Sequence, residues 1–417
     1  MIRAHKIALD PTAAQVAYFT RASGVARFAW NWALARWQQE YALWREYRCG
    51  PRPSEVSLRR ELNAVKDDAF PWMREVTKNA PQQAIKNVGQ AFTNFFEGRA
   101  EYPTFKKKGR TRDSFRADNG PDKLHPNAAE VDGKRIRLPV IGWVRMREAV
   151  RFVGNIKSVT ISRRANRWFA SVSVEVNHVV PVRENQALVG ADLGTRRMAT
   201  LSGEIVPAPR ALRRNLKKVK RLSRQLSRKV KGSRNRRKAA GKLGRLHARV
   251  ANIRQDAVHK LTTRITARFD AIGIEDLNVR GMLANGKQAL AISDAGMFEF
   301  RRQIQYKAAM NGCHVGVADR FFPSSKRCYD CGRVNRDLGR EPEWTCPHCG
   351  VVHDRDVNAS MNLELVAGSS LEASRLPEFA GRPVTVCGEE SSDGRLLLVV
   401  KLASTKQKPK RGIKCHA

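Results

Sequence analysis

The stretch WTCPHCGVVHDRDVNAS, Trp344 to Ser360, brings two cysteines, two histidines and two aspartates together. Its first half has the chemistry of a zinc site and its second half that of a magnesium site. The pair Cys346 and Cys349 in CPHCG matches Cys328 and Cys331 in CYDCG, and the two CxxC pairs are separated by fourteen residues. Each pair can turn both thiolates onto one ion, and the glycine that follows lets the chain bend beneath it. Four thiolates close a tetrahedral structural Zn²⁺ site. A redox CxxC is the alternative, and two pairs at this spacing weigh against it. His348 and His353 are spare donors that are not expected to touch the ion.

The carboxylates are the second constellation. Asp192 ends the apolar run ALVGAD and Glu275 ends AIGIE, while Asp354 and Asp356 stand where the cysteine segment gives way to DVNASMNLELVAG. Acids at strand ends of an open α/β sheet gather where active sites form. If they met, they would bind hard cations, Mg²⁺ or Mn²⁺, and a pair of such ions supports phosphodiester hydrolysis. Blander roles compete. A strand-end Asp is often a turn residue, Asp356 could simply cap its helix, and Asp276 rivals Glu275. Spacing alone leaves Asp354 and Asp356 tied.

These residues need elements to position them. A strand is expected over Arg3 to Leu9, then a helix capped by Asp10 with Pro11 in its first turn. Helical, Trp-rich sequence continues to about Gly98, and Trp30, Trp32, Trp37 and Trp44 read better as helix packing than as base-stacking platforms. From Tyr102 the chain turns basic, aromatic and turn-rich, with Lys106, Lys107 and Lys108 in a row. Alternating segments follow, and SVTISRRANRWFASVSVEV reads as a hairpin turning at Arg164–Arg167. Beyond Glu184, strands alternate with helices. Helix AVHKLTTRITARF carries Val258, Leu261, Ile265 and Phe269 at helical spacing. Strand, helix and strand then repeat through AIGIEDL, MFEFRRQIQYKAAMNG and HVGVAD, an α/β layer pattern. From Ser369 the sequence lacks periodicity, and a loosely ordered tail is expected over 369–417.

Charge identifies the partner class. There are 78 Lys and Arg against 39 Asp and Glu, a net charge of +39. Such an excess points to a polyanion. A membrane surface fits poorly, since there is neither a spanning apolar run nor an N-terminal targeting core. The charge peaks between Arg210 and Arg249, with eighteen Lys or Arg and no acid. Leu212, Leu216, Val219, Leu222, Leu226 and Val230 form one apolar stripe, so this is an amphipathic helix broken near KGSRN. Like charges at i,i+4 weaken a helix, and a phosphate backbone relieves that cost. Arg213, Arg214, Lys217, Lys218 and Arg221 are the candidate contacts. Eight cysteines with only one clustered set of four indicate a reducing compartment with one metal site.

Together these segments resemble the TnpB family, the RNA-guided nucleases of bacterial and archaeal transposons long called transposases and related to type V CRISPR effectors. VGADLGTRRMATLS is similar to the first RuvC motif of that family and IGIEDLNVRGM to the second. RFFPSSKRCYDCG with WTCPHCGVVHDRDVNAS is similar to the zinc ribbon and third motif, and RFAWNWAL and AFTNFFEGRAEYPTFKKKGRTRDSFR also match. The resemblance runs to about Gly368. It implies a multidomain α+β and α/β chain with an RNase H-like (RuvC) core over 184–322 and 351–368 and an inserted ribbon over 323–350. It also implies an oligonucleotide-binding-like barrel from 1–9 and 115–183 carrying a helical recognition lobe over 10–114. Carried over by motif, the catalytic acids are Asp192, Glu275 and Asp356, because the third acid directly precedes VNA. A transposon-derived guide RNA and target DNA are the implied partners, with Zn²⁺ structural and Mg²⁺ or Mn²⁺ catalytic, in the prokaryotic cytoplasm at the nucleoid. Base pairing would supply specificity while the protein grips backbone shape. For a short duplex motif beside the target, Lys78 and Gln82 are candidate readers, with Gln83 as a rival. Thr195–Met198 is more basic than the resemblance leads one to expect. The same acids serve RNase H-like transposases, and a non-catalytic nucleic-acid-binding regulator is the other alternative.

Overall fold

A computed structural model describes residues 1–48, 51–119, 129–183, 187–376, 384–392 and 394–403. The chain divides into two compact units, Met1–His178 and Val179–Ala417.

In the first unit, β1 (Ile2–Ala8) leads into three helices, α1 (Ala13–Tyr47), α2 (Glu55–Ala69) and α3 (Asn79–Phe96). Thr12, not Asp10, caps α1, in a reciprocal pair with Gln15. Threonine three residues before glutamine is a capping box, a stronger signal than an isolated Asp. The strands β2 (Ser114–Asp118), β3 (Glu130–Asp132), β4 (Arg135–Leu138), β5 (Gly142–Arg145), β6 (Asn155–Arg164) and β7 (Arg167–Glu175) complete the unit. The hairpin at Arg164–Arg167 forms as expected, and Ala165 and Asn166 both take positive φ, as a two-residue hairpin turn requires. One antiparallel sheet has the order β1-β7-β6-β2 and a second β3-β4-β5. Helices and sheet share one core, in which Phe19, Phe115 and Trp168 meet. Three of the tryptophans pack in this core: Trp30 is buried and donates to the Thr104 carbonyl, Trp37 stacks on Phe92 at 4.4 Å, and Trp32 packs against the same cluster, whereas Trp44 stacks on Tyr41 outside it.

The second unit opens with β8 (Leu188–Asp192), β9 (Arg197–Leu201) and β10 (Glu204–Pro207). The basic segment forms α4 (Ala211–Ser227) and α5 (Arg234–Arg268), with the break where KGSRN predicts it. Then follow β11 (Ala271–Glu275), α6 (Val279–Ala284), α7 (Ala289–Ala295), α8 (Met297–Asn311), β12 (His314–Ala318), β13 (Glu343–Thr345), β14 (Val352–Asp354) and α9 (Arg355–Ser374). The chain then adds β15 (Val384–Glu390) and β16 (Leu396–Leu402). The expected loose tail over 369–417 is therefore corrected. α9 runs through its first residues, and β15 and β16 extend the main sheet, whose order is β10-β9-β8-β11-β12-β15-β16. An edge hairpin of this kind takes its stability from the sheet beside it, so no strong local periodicity announces it. Residues 404–417 of that expected tail lie outside the described residues.

The strands β8, β11, β12 and β15 run parallel; β9 and β16 pair antiparallel on their two sides, and β10 pairs antiparallel with β9. Their register aligns Gly190, Gly273 and Gly316 in a row across β8, β11 and β12. α9 lies directly on that row. A Cβ on Gly190 would come within 1.8 Å of the Ser360 carbonyl oxygen, and one on Gly273 within 1.7 Å of that of Leu363. These glycines set how closely the helix approaches the sheet.

Candidate functional site

Gly190 and Gly273 each lie two residues before an acid, so the glycine row and the carboxylates share one register. Asp192 ends β8, Glu275 ends the neighbouring parallel strand β11, and Asp356 sits in the first turn of α9. The three motif-derived acids thus converge at one end of the sheet. Burial first, then the charges of Glu275 and Asp356, push the Asp192 carboxyl up to about 8. Burial also raises Glu275, opposed by a hydrogen bond from Ser324 and by the charge of Arg355. Like carboxylates crowded into a low-dielectric site cannot all ionise cheaply, and a hard divalent cation removes that cost. Carboxylate oxygens are the donor type that such an ion prefers.

The structure separates Asp354 from Asp356. Asp354 is the N-cap of α9, accepting the backbone N–H groups of Asp356 and Val357 at 3.0 Å. Arg197 grips its two oxygens at 3.0 Å each. That hydrogen-bonded cation, with the capping bonds, holds Asp354 below the usual carboxylate range despite its partial burial. Asp354 is occupied with holding the helix start, and the charge of Asp356 bears on Asp192. Arg197 also lies 3.4 Å from Asp356, which gives the unexpectedly basic Thr195–Met198 a role. Asp276 is likewise engaged by cations. Burial raises it, but Arg301 and Arg320 overcome that effect and hold it low.

One contributor was missed in the sequence. Ser324, buried, donates its hydroxyl to Glu275 at 2.5 Å. Asn362 of α9 holds the Ser324 carbonyl at 2.9 Å and that of Arg327 at 2.7 Å, and Asn358 holds the Arg327 carbonyl at 2.8 Å. Both asparagines are essentially inaccessible, at 2% and 0% exposed. The helix that carries Asp356 therefore also anchors the segment that supports Glu275. Two asparagines at i,i+4 on an otherwise apolar face were the available signal, since buried carboxamides must find partners.

The four cysteines form the second centre. Cys328, Cys331, Cys346 and Cys349 place their sulfurs within 4.8 Å of one another, with Cys328–Cys349 and Cys331–Cys346 at 3.7 Å. An ion with bonds of about 2.3 Å to tetrahedral thiolates has sulfur edges of about 3.8 Å, so the set fits zinc. Gly332 and Gly350, both at positive φ, return their N–H groups to the carbonyls of Cys328 and Cys346. His348 is exposed, whereas His353 lies 3.1 Å from the Cys328 sulfur and against Trp344. With Asp330 and Cys328, His353 makes a second close group of donors.

The basic candidates fall on surfaces. Arg213, Arg214, Lys217, Lys218 and Arg221 are exposed on α4, while Leu212, Leu216, Val219, Leu222 and Leu226 are half-buried on the side that meets α5. Val230 is exposed beyond the helix end. Asp294, buried, accepts the N–H groups of Leu212 and Arg213 and fixes the start of α4. In the first unit Lys107 and Lys108 are exposed, and Lys106 is half-buried over Trp30. Lys78 and Gln82 line one cavity with Arg59, Lys66 and Arg74. Gln83 is buried at 6% exposure and belongs to a different cavity. It is not a third member of the Lys78–Gln82 surface.

The fold defines a class first. The chain shares the multidomain mixed α/β fold of a chain in the solved Cas12f1–sgRNA–target DNA complex, with a TM-score of 0.55 at 11% identity, covering 87% of this chain and 98% of that one. Family profiles match at 171–286 ("Probable transposase", OrfB of IS605), at 298–363 (the TNB domain of Cas12f1-like proteins) and at 1–45 ("Helix-turn-helix domain"). Over that last span the structure has one strand and one uninterrupted helix. A "Putative RNA-guided DNA endonuclease" of Streptomyces pristinaespiralis is 38% identical over 98% of this chain and 96% of its own length. The protein of that description from Escherichia coli K12, InsQ, is 33% identical over 92% of this chain and 96% of its own. The chain belongs to the TnpB family.

Proposed function

We propose that the protein is an RNA-guided, divalent-metal-dependent DNA endonuclease. The observation that carries this reading is the convergence of Asp192, Glu275 and Asp356 at one sheet end, in a chain that aligns over nearly its whole length with relatives of that description. Asp192, Glu275 and Asp356 would hold Mg²⁺ or Mn²⁺. When bound, these ions supply charge neutralisation of the phosphodiester and an activated water. The chain's own residues do the rest. Ser324 orients Glu275 through its hydroxyl, Asp354 and Arg197 fix the start of α9, and the glycine row sets the depth at which Asp356 arrives.

Zn²⁺ held by Cys328, Cys331, Cys346 and Cys349 would stabilise the ribbon over 323–350. Residues 1–9 and 115–183 would form an oligonucleotide-binding-type barrel, with a helical recognition lobe over 10–114. Lys78 and Gln82 would read a motif beside the target. A transposon-derived RNA and the target strand would lie on basic surface such as α4, in the cytoplasm at the nucleoid. Among the described residues no helix is long and apolar enough to cross a membrane.

The test is purification from cells that co-express the flanking RNA, followed by cleavage of a matched plasmid in Mg²⁺. Cutting that requires both RNA and metal and leaves 5′-phosphate ends is the expected result. Joining of transposon ends without RNA, or binding with no cleavage by any guide, would overturn the reading.

A further inference from the structure

The first unit holds a polar cavity of about 200 Å³ that neither metal centre uses. Its wall comes from α1, α3, β2, β6 and the loop that carries Lys106 and Arg112. Cations dominate it. Arg27 is already satisfied by Asp113 at 3.0 Å. Lys106 has no such partner: its ammonium stands 3.5 Å from the centre of the Trp30 ring, and burial alone pulls it down to about 8. Arg112 gives a hydrogen bond to the Ser162 hydroxyl at 2.7 Å, and burial and Arg164 both lower it. Arg116 reaches Asp118 only at 3.5 Å, and its Nε is buried without a hydrogen-bond partner. The hydroxyl of Ser23, a residue 1% exposed, is likewise buried without a partner.

Buried polar groups are satisfied in nearly all folded proteins, and a half-buried ammonium is held against its solvation. This wall therefore offers more cationic and hydrogen-bonding capacity than the protein itself consumes. Its neutral side adds two carboxamides, Gln83 and Asn87, one turn apart on α3, with Gln83 6% exposed. Guanidinium and ammonium groups suit phosphate oxygens, and carboxamides pair with the edges of bases. The volume lies below that of ordinary small-molecule sites, which admits at most one partly inserted nucleotide unit and excludes a duplex.

We propose that this cavity binds a single nucleotide unit of a nucleic-acid strand, with its phosphate on Lys106, Arg112 and Arg116 and its base edge on Gln83 and Asn87. The inference does not rest on cleavage, so a protein that never cuts DNA could still bear it out.

The experiment is equilibrium binding of AMP, CMP, GMP and UMP, their deoxy counterparts and inorganic phosphate to the purified full chain. Lys106→Met, Gln83→Leu and a surface control, Lys217→Met, are measured beside it, each with its melting temperature. At least one nucleotide should bind saturably at one site per chain. Lys106→Met should weaken nucleotide and phosphate together by about tenfold. Gln83→Leu should weaken the nucleotide and spare phosphate, and Lys217→Met should change neither. Tighter binding of the ribo form assigns the occupant to RNA, and equal or tighter binding of the deoxy form to DNA. If Lys106→Met is unfolded, Arg112→Gln takes its place. Binding that the cavity variants leave unchanged, or phosphate held as tightly as every nucleotide, overturns the proposal.

Discussion

The two candidate metal centres lie close in sequence and differ in preparation. The four sulfurs already stand at the separations a tetrahedral ion imposes, on glycine turns that return their own hydrogen bonds. At the carboxylates, by contrast, burial raises Asp192 and Glu275, and with the charges of Glu275 and Asp356 added Asp192 reaches about 8. A structural ion is built for by setting its donors in place beforehand. A catalytic ion is built for by leaving charge uncompensated until the ion and the substrate arrive, which is where perturbed pKa values cluster.

That contrast can be broken most forcefully at Asp192. Asp192→Ala should lower the cleavage rate on the order of 10³-fold or more while RNA and DNA binding persist. Normal cleavage by that variant would refute the acid assignment. The cysteine centre should respond in the opposite way. Cys331→Ser should reduce zinc from one ion per chain towards none and lower the melting temperature, as read by metal analysis and calorimetry. A variant that keeps its zinc would show that His353 or Asp330 completes the site instead.

Next in size is backbone geometry. Gly273→Ala places a methyl group 1.7 Å from the Leu363 carbonyl and should cost about 3 kcal/mol, measured by denaturant unfolding. The acids also make a pH statement. The folded protein binds the Asp192 proton more tightly than the unfolded chain does. Metal-free stability should therefore fall as pH rises from the ordinary carboxylate range, about 4, to about 8. Added Mn²⁺ should raise the melting temperature more above about pH 8 than near pH 5, and Asp192→Asn should flatten that difference. The smallest expected effect separates the two aspartates of HDRD. Asp354→Asn should cost about 1 kcal/mol or less of stability with cleavage largely kept, whereas Asp356→Asn should lose cleavage with little change in stability.

The strands and helices that carry the acids were legible, because apolar runs ending in Asp192 and Glu275 and a helix beginning near Asp356 are local patterns. The basic hairpin was legible too, since one sign of charge and one apolar stripe suffice. The cap at Thr12 and the strands β15 and β16 were not read. The cap needed Thr12 and Gln15 to be weighed together, and the edge strands draw their order from a neighbour rather than from their own period. The roles of Ser324 and Arg197 were not read either, since serine and arginine are ordinary surface residues until a fold buries them, and the paired asparagines were a signal left unused.

The sequence by itself determined the residue types, the CxxC spacing and the motif order, and these identify a family and two kinds of donor. Only the tertiary structure showed Asp354 engaged as the cap of α9, and only it joined Glu275 to Ser324. The reason lies in register. Gly190, Gly273 and Gly316 are 83 and 43 residues apart along the chain, and parallel pairing alone aligns them into the shelf on which α9 rests. No local pattern records that alignment, because it exists only once the strands have paired.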